Sequence, residues 1–508
     1  MTQAVATHDR YLTDFRALGE SVEQPEWLQD LRRKAFEHFQ ETGFPSARRG
    51  NEPWKYTNVA PVAEAEFALA SPPEHEPAVE ELEAAAPWCT VWHELVFVNG
   101  HHSVALSESP ATHEPREGLR GAIVRPLAEA AVSHEDLVRK HLGGHAPYDY
   151  DGFTALNTAF LQDGSFLYVP DGQEIPTHIH LVFVTAAAGR PVATYPRTLI
   201  VAGRESKVTV VESYVSLDGG RYFTDPVTEI ALEDGAQVDH YRLLLDSPES
   251  FHVGTTRVHQ ERDSTFTSVA FATGAALARN DFKVLLDAPG SAAYLRGLYV
   301  TAGKQHIDNY LNIDHAQPHT TSRMYYKGIL DGQSRAVFGG TVLVRRGADK
   351  TDAYQEDKNL LLSDEAEVAS KPSLEIYADD VKCGHGATAG AIADEALFYM
   401  RSRGIDEQTA NVLLVKGFAS EILDAVKPEP LRHYLEGLTM RALPRFAREQ
   451  ADVALSTSVR PAQTGPLREP VEAPGPRRRR LRKPAAGRMS RSRSADGGET
   501  PRLGANDA

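Results

Sequence analysis

Cysteine is almost missing from this chain: Cys89 and Cys383 are the 2 thiols in 508 residues. Two thiols build no disulfide framework for a chain of this length. They also fall short of a four-cysteine zinc site, or of a four-thiolate iron–sulfur cluster held within one chain. Long apolar runs are missing too. The longest, Leu181 to Ala188, has the length of a strand and not the roughly 18 residues of a membrane span. The start, with His8, Asp9, Arg10, Asp14 and Arg16, has no apolar secretory core. A reducing, cytoplasmic setting and no membrane association are expected. There is no phosphate loop ending in Gly-Lys-Ser/Thr, no Gly-x-Gly-x-x-Gly after a strand and no Gly-x-Ser-x-Gly elbow. The chain itself is therefore expected to bind no nucleotide. No two carboxylates are paired as acid and base, so no catalytic residue and no enzyme activity are expected.

Charge is present but uneven. The formal net charge is −16, yet the stretch from Pro461 onward carries 11 basic and 5 acidic residues, leaving −22 on the first 460. An acidic body repels nucleic-acid phosphates and suits protein partners or cations.

Four stretches differ in texture. Residues 1–150 read as mainly helical. Pro25 opens a helix whose apolar residues Trp27, Leu28, Leu31, Ala35 and Phe39 recur at helical spacing, and Gly43 closes it. A Pro/Ala/Glu-rich linker (71–87) follows, and then Leu95 to Val98 before Asn99-Gly100 reads as a strand and tight turn. Residues 151–390 hold many short β-branched and aromatic runs, including Thr198–Val201, Val208–Val215, Val227–Leu232, Val238–Leu245, Thr265–Ala270, Tyr294–Val300 and Ala336–Val344. Turn signals such as Glu233-Asp234-Gly235, Asp287-Ala288-Pro289-Gly290 and Asp331-Gly332 separate them. About 190 residues without a helical pattern exclude a βαβ sheet, leaving sandwiches or barrels, or a solenoid of stacked rungs. The recurring polar turn followed by an apolar β run favours the solenoid, although no fixed period is visible.

Residues 391–455 return to helices. Asp406 caps one whose stripe runs through Ala410, Leu413, Leu414, Gly417, Phe418, Ile422 and Val426, and Leu431–Leu443 makes a second. This pair is expected to cap the end of the β body, with partner docking as the rival reading. Residues 456–508, rich in Pro, Gly, Ser and Arg, are expected to be disordered. Their Arg477–Arg480 and alternating Ser490–Ser494 segments are read as solvated, with nucleic-acid contact the rival reading.

The pointed cluster is Asp379-Asp380-Val381-Lys382-Cys383-Gly384-His385-Gly386-Ala387-Thr388. On a strand, positions i and i+2 share a face, so Cys383 and His385 address one ion or sulfur atom together. Thiolate and imidazole suit iron or zinc, and Lys382 and His385 are placed to lower the thiol's pKa. Against this stands a buried cysteine beside a hydrogen-bonded histidine. Two ligands make at most half of a site, so the rest would come from another chain. His178-x-His180 resembles the cupin metal pair but lacks the glutamate that pair requires. His306, His315 and His319 read as structural or exposed, and Cys89 beside Trp88 as a packed thiol.

Several motifs together resemble one family. Arg49-Gly50-Asn51-Glu52-Pro53-Trp54-Lys55-Tyr56-Thr57, Ala155-Leu156-Asn157-Thr158-Ala159-Phe160, Gly164 to Pro170, Phe223 to Ile230, Asp380 to Thr388 and Ala396 to Ile405 are similar, in order, to the SufD subunits of the SUF iron–sulfur cluster assembly machinery. The resemblance spans about residues 45–430. It implies a right-handed parallel β-helix (151–390) between helical ends, a heterodimer with a SufB-like subunit, and a SufC-like ATPase docked on the C-terminal helices. It also implies a transient iron–sulfur cluster or iron at the SufB interface, with His385 contributing and Cys383 carried over with less weight. A homodimer without the partner is a further possibility. SufB-like chains show His-Glu-Ala where this chain has His385-Gly386-Ala387 and carry further cysteines, which argues for SufD. The rival readings are a SufB-like paralogue, a stand-alone β-helix acting on carbohydrate, and a nucleic-acid-binding protein working through its tail.

Overall fold

The structure is a computed structural model that describes residues 2–21, 24–48, 50–89, 91–107 and 117–443. The basic tail, with the expectations attached to it, lies outside the described residues.

The short β runs stack into two long sheets of parallel strands, and successive strands alternate between them. The first sheet runs from Gly164–Val169 to Glu367–Ile376 and the second from Ile179–Thr185 to Lys382–Gly390, making about 8 turns of a parallel β-solenoid. Of the all-β alternatives, the solenoid is the one adopted. Strands of the first sheet begin at Phe251, Leu277, His306, Arg335 and Glu367, so successive turns take 26, 29, 29 and 32 residues. Turn length varies while strand length holds at 10 residues across these five strands. That is why the sequence shows no fixed period.

One corner illustrates the local chemistry. Where the chain passes from the first sheet to the second, six successive turns each place at least one residue in the left-handed region: Glu205, Gly235, Asp263, Gly290, His319 and Lys350, the last with Gly347. Backbone N–H groups there donate to the next turn, as in Glu205 N to Asp234 O (2.8 Å), Gly235 N to Arg262 O (2.7 Å) and Asp263 N to Pro289 O (3.1 Å). Gly235 and Gly290 of the turn signals are thus corner posts, alongside Glu205, Asp263, His319 and Lys350, and the buried backbone is satisfied by stacking.

Alternate side chains point inward to one continuous core that includes Ile200, Ile230, Val258, Val284, Ile313 and Val342 from the first sheet. Phe266, Leu295 and Met324 face them from the second.

The N-terminal stretch is helical in the main, but it also gives strands to both sheets. His93–Val98 pairs in parallel with Ile179–Thr185, and Ile123–Pro126 pairs antiparallel with Gly164–Val169. Its helices Thr2–Ser21 and Glu26–Thr42 pack with Gly152–Ala159 through aromatics, with Phe15 stacked on Phe36 at 4.2 Å and Phe36 edge-on to Phe160 at 6.3 Å. Gly152 permits this approach, since a Cβ there would lie 1.9 Å from the Gly43 carbonyl oxygen.

At the other end of the chain, Asp406 caps helix Glu407–Leu423 by accepting from Thr409 N at 3.0 Å. This helix and Glu429–Arg441 bury Val415, Ala419, Ile422, Leu431 and Leu435 against Val211, Tyr241, Val269 and Leu298. Those four residues come from successive strands of the second sheet, on its outward side. The helices therefore lie along the flank of the solenoid and do not cap its end. The apolar stripe needed a matching apolar face, and the flank supplied it at about 1.5–3 kcal/mol per fully buried aliphatic side chain.

Candidate functional site

The last rung carries the Cys-x-His pair. Strand Lys382–Gly390 pairs in parallel with Asp352–Leu361, setting Cys383 beside Ala353 and His385 beside Gln355. Ala353 is buried in the solenoid core and Cys383 packs partly buried against it, so this side of the strand faces inward. By the period of two, His385 continues the same side. His385 itself is exposed, at the rim. The intervening Gly384 and Gly386 lie on the outward side under the Tyr354 side chain, where a Cβ would come within 3.3 Å and 3.7 Å of it respectively. Beneath His385, Gln355 is fully buried. Its amide donates to Ser373 O at 2.9 Å while its Oε1 finds no partner.

The thiol is not activated as the sequence suggested. Burial raises the Cys383 pKa, and Asp352 adds to the effect, against a backbone hydrogen bond from Ala353 that lowers it. Lys382 is the adjacent residue and so points to the opposite face of the strand. Among the described residues, no group of three or more His, Cys, Asp and Glu side chains is placed to hold a metal ion.

What surrounds the pair is unusual for a protein end. Glu367–Ile376 and Lys382–Gly390 are the edge strands of the two sheets, and neither contains a fully buried residue. Their outer N–H and C=O groups face away from the stack as templates for further pairing. Ile376, Tyr377 and Tyr354 stand 40%, 58% and 42% exposed beside them. Just beyond, helix Asp394–Ser402 buries none of its residues and leaves Phe398 75% and Tyr399 60% exposed.

The remaining candidates resolve as structure. His180 is buried between the Trp88 and Trp92 rings with Nε2 2.9 Å from Ser213 Oγ, and burial pushes its pKa down to about 3. His315 is held by Thr320 (2.7 Å) and Ser322 (2.8 Å), and His306 lies 3.1 Å from Thr57 Oγ1. Cys89 packs against the apolar cluster beneath the C-terminal helices.

The motifs that carried the resemblance also act largely as clamps. Trp54 stacks on Phe153 at 5.4 Å, and the Arg279 guanidinium sits 3.9 Å over its ring. Asn157 donates to the Pro196 and Asp225 carbonyls (2.9 and 2.7 Å). Glu229 takes the buried Arg197 guanidinium together with the N–H groups of Gly143, His145 and Ala146. Burial alone would raise the Glu229 carboxyl, but Arg197 and those N–H groups bring its pKa below the ordinary range. Sequence reasoning missed Gln355 and Tyr354. The alternation Ala353-Tyr354-Gln355-Glu356-Asp357 was the available signal.

A parallel β-solenoid wrapped at its first end, with a thiol and an imidazole on the edge strand of its last rung, defines the structural class. Comparison with known proteins names the family. The SufBD core domain of the SUF system for FeS cluster assembly matches residues 183–418, and the SufBD N-terminal region matches residues 5–181. An iron–sulfur cluster assembly SufBD family protein of Synechocystis sp. is 32% identical over 389 residues, covering 74% of this chain and 83% of that one. SufD of Escherichia coli is 30% identical over 431 residues (82% and 94%), and SufD of Bacillus subtilis 26% over 448 residues (86% and 98%). The chain belongs to the SufBD family of iron–sulfur cluster assembly proteins. Among the described residues no helix is long and apolar enough to cross a membrane.

Proposed function

We propose that this chain is the SufD-type, non-catalytic scaffold subunit of a cytoplasmic SUF complex, and that its bare last rung is the face a SufB-like subunit completes. The observation that carries this reading is the pairing of two open sheet edges with Cys383 and His385 on the inward side of one of them. A cluster needs several soft ligands and this rung offers two. Partner strands added to the two edges extend both sheets by main-chain hydrogen bonds and bring their own ligands over the same mouth. His385, exposed at the rim, takes the larger role toward the nascent cluster or iron, which is cargo rather than a resident group. Cys383, neutral and half-covered, takes the lesser one. The exposed Phe398 and Tyr399 support a SufC-like ATPase docking on the helices that follow, which supplies the nucleotide chemistry this chain has no motif for. Without the SufB-like partner, the same two edges serve a second copy.

Reconstitution with SufB-like and SufC-like subunits tests this. His385→Ala is expected to leave complex formation intact and to remove most of the cluster absorbance, with Cys383→Ser losing less. Unchanged cluster yield for His385→Ala rejects the role. Capture of the full chain from its own cells, followed by mass spectrometry, is expected to bring SufB-like and ATPase subunits. Their absence rejects the partnership.

A further inference from the structure

We propose that the outward face of the first sheet, under the loop that follows helix Glu135–His141, holds a binding site for a small, multiply charged oxyanion, carrying phosphate or carboxylate groups, built on Arg257, Lys283, His259 and His145.

The sheet register creates the site. Arg257 and Lys283 are direct neighbours on adjacent parallel strands, Phe251–Gln260 and Leu277–Leu286, whose backbones lie about 4.8 Å apart. Their inward neighbours Val258 and Val284 are in the core, so both cations stand on the outer face, and His259 joins them two residues along. Two like charges side by side on one sheet face are unfavourable, and Asp281 offsets Arg257 alone. The loop roofs the position: the His145 ring stacks on that of His259 with centroids 5.3 Å apart, and the Tyr150 ring lies 4.2 Å from the Arg257 guanidinium carbon. Between roof and sheet is a cavity of 270 Å³, and no carboxylate lines it. That is notable in a body of net charge −22.

The nearby acids are already paired, Glu229 outside the site and three others with Arg257 or His259 themselves. Glu229 is taken by Arg197 and three backbone N–H groups. Asp281 sits 2.8 Å from Arg257 Nη1, and Asp287 3.1 Å from His259 Nε2, with Glu261 3.8 Å from that ring's other nitrogen. Two donors are left over. Arg257, with a side chain only 5% exposed, keeps Nη2 without a hydrogen-bond partner. Lys283, which lines the cavity, makes no ion pair among the described residues. A guanidinium N–H held rigid by Asp281 and the Tyr150 ring, next to the Lys283 ammonium and under the stacked imidazoles, is the donor pair of an oxyanion site. Conflict between sheet pairing and charge is what a binding site leaves in a sequence. The position is several turns away from Cys383 and His385 and does not depend on their role.

The test is calorimetric titration of the full-length chain with inorganic phosphate, pyrophosphate and citrate. One equivalent of at least one probe is expected to bind, and the preferred probe separates a phosphate source from a carboxylate one. Lys283→Gln, at a half-exposed position, is expected to weaken that binding about tenfold or more, the loss of one charge-assisted hydrogen bond. Lys304→Gln, on another groove, is expected to change nothing. Arg257→Gln is expected to abolish binding, but it disturbs the Asp281 pair, so Lys283→Gln is the deciding variant. No binding of any probe, or equal binding by wild type and Lys283→Gln, or equal losses for Lys283→Gln and Lys304→Gln, overturns the site.

Discussion

The two ends of the solenoid are built on the same strand chemistry and finished in opposite ways. At the first end every residue of Arg197–Ala202 and Ile179–Thr185 is buried; at the last, no residue of Glu367–Ile376 or Lys382–Gly390 is. The first end is closed by its own chain, with extra strands, an aromatic helical wrap and a buried Arg197–Glu229 pair. Among the described residues the last end has none of these. A stack of parallel strands must end in two unpaired edges, and edges left bare are an aggregation hazard unless something covers them. The contrast therefore separates what this chain does for itself from what it leaves to a partner. It follows that side-chain changes should be costly at the closed end and nearly silent for stability at the open one.

The largest break is expected from Arg197→Met. It leaves Glu229 charged and buried against three N–H groups alone, and should cost about 3–5 kcal/mol in urea unfolding. A loss within 0.5 kcal/mol would falsify the clamp reading of the closed end. Next comes Glu94→Gln. Glu94 is buried in strand His93–Val98 with Oε1 unpaired, and burial raises its pKa from 4.5 to about 8. In the unfolded chain this carboxyl ionises near 4.5, whereas in the fold it stays protonated until about pH 8. The native state is therefore progressively penalised as pH rises through that window. The substitution should gain up to about 3 kcal/mol at pH 8 and little near pH 4.5. Unfolding midpoints at pH 5 and pH 8 check the sign, and a larger gain at pH 5 contradicts it.

A pair of glycines sharpens the contrast further. A Cβ at Gly152 meets the Gly43 backbone, whereas one at Gly390, on the open edge, meets nothing within 4 Å. Gly152→Ala should cost about 1–3 kcal/mol and Gly390→Ala less than about 0.5 kcal/mol. Equal costs would remove the distinction. The smallest stability change, below about 0.5 kcal/mol, is expected for His385→Ala. There the effect should appear only in cluster formation with the partner subunits, as the reconstitution above measures.

Much of this was legible from residues alone, and the illegible parts have identifiable causes. Strands Lys207–Ser216 and Gln237–Leu245 were visible because their inward residues are β-branched or aliphatic. Phe251–Gln260, Leu277–Leu286 and His306–His315 were not. They carry Arg257, Arg279, Asp281, Lys283 and Asp308, charges that read as loop until neighbouring rungs pair them. The Cys383–His385 constellation could be read from spacing because a strand's period of two is a local property. The direction of the Cys383 pKa could not, since it depends on the core against which the thiol packs. The expectation that the C-terminal helices cap an end failed for the same reason: their apolar stripe was readable, but the matching face belongs to strands far earlier in the chain, back to Val211.

What the sequence determined by itself was local: the turn residues at the corners, the alternating strands, the Asp406 cap, the scarcity of thiols and the order of motifs that marks the family. Tertiary structure alone decided which charges are buried and paired, which face the helices cover, and which end of the stack stays open. Those outcomes depend on register between distant turns, and burial converts the same side chain from a solvated charge into a clamp or an unpaired donor.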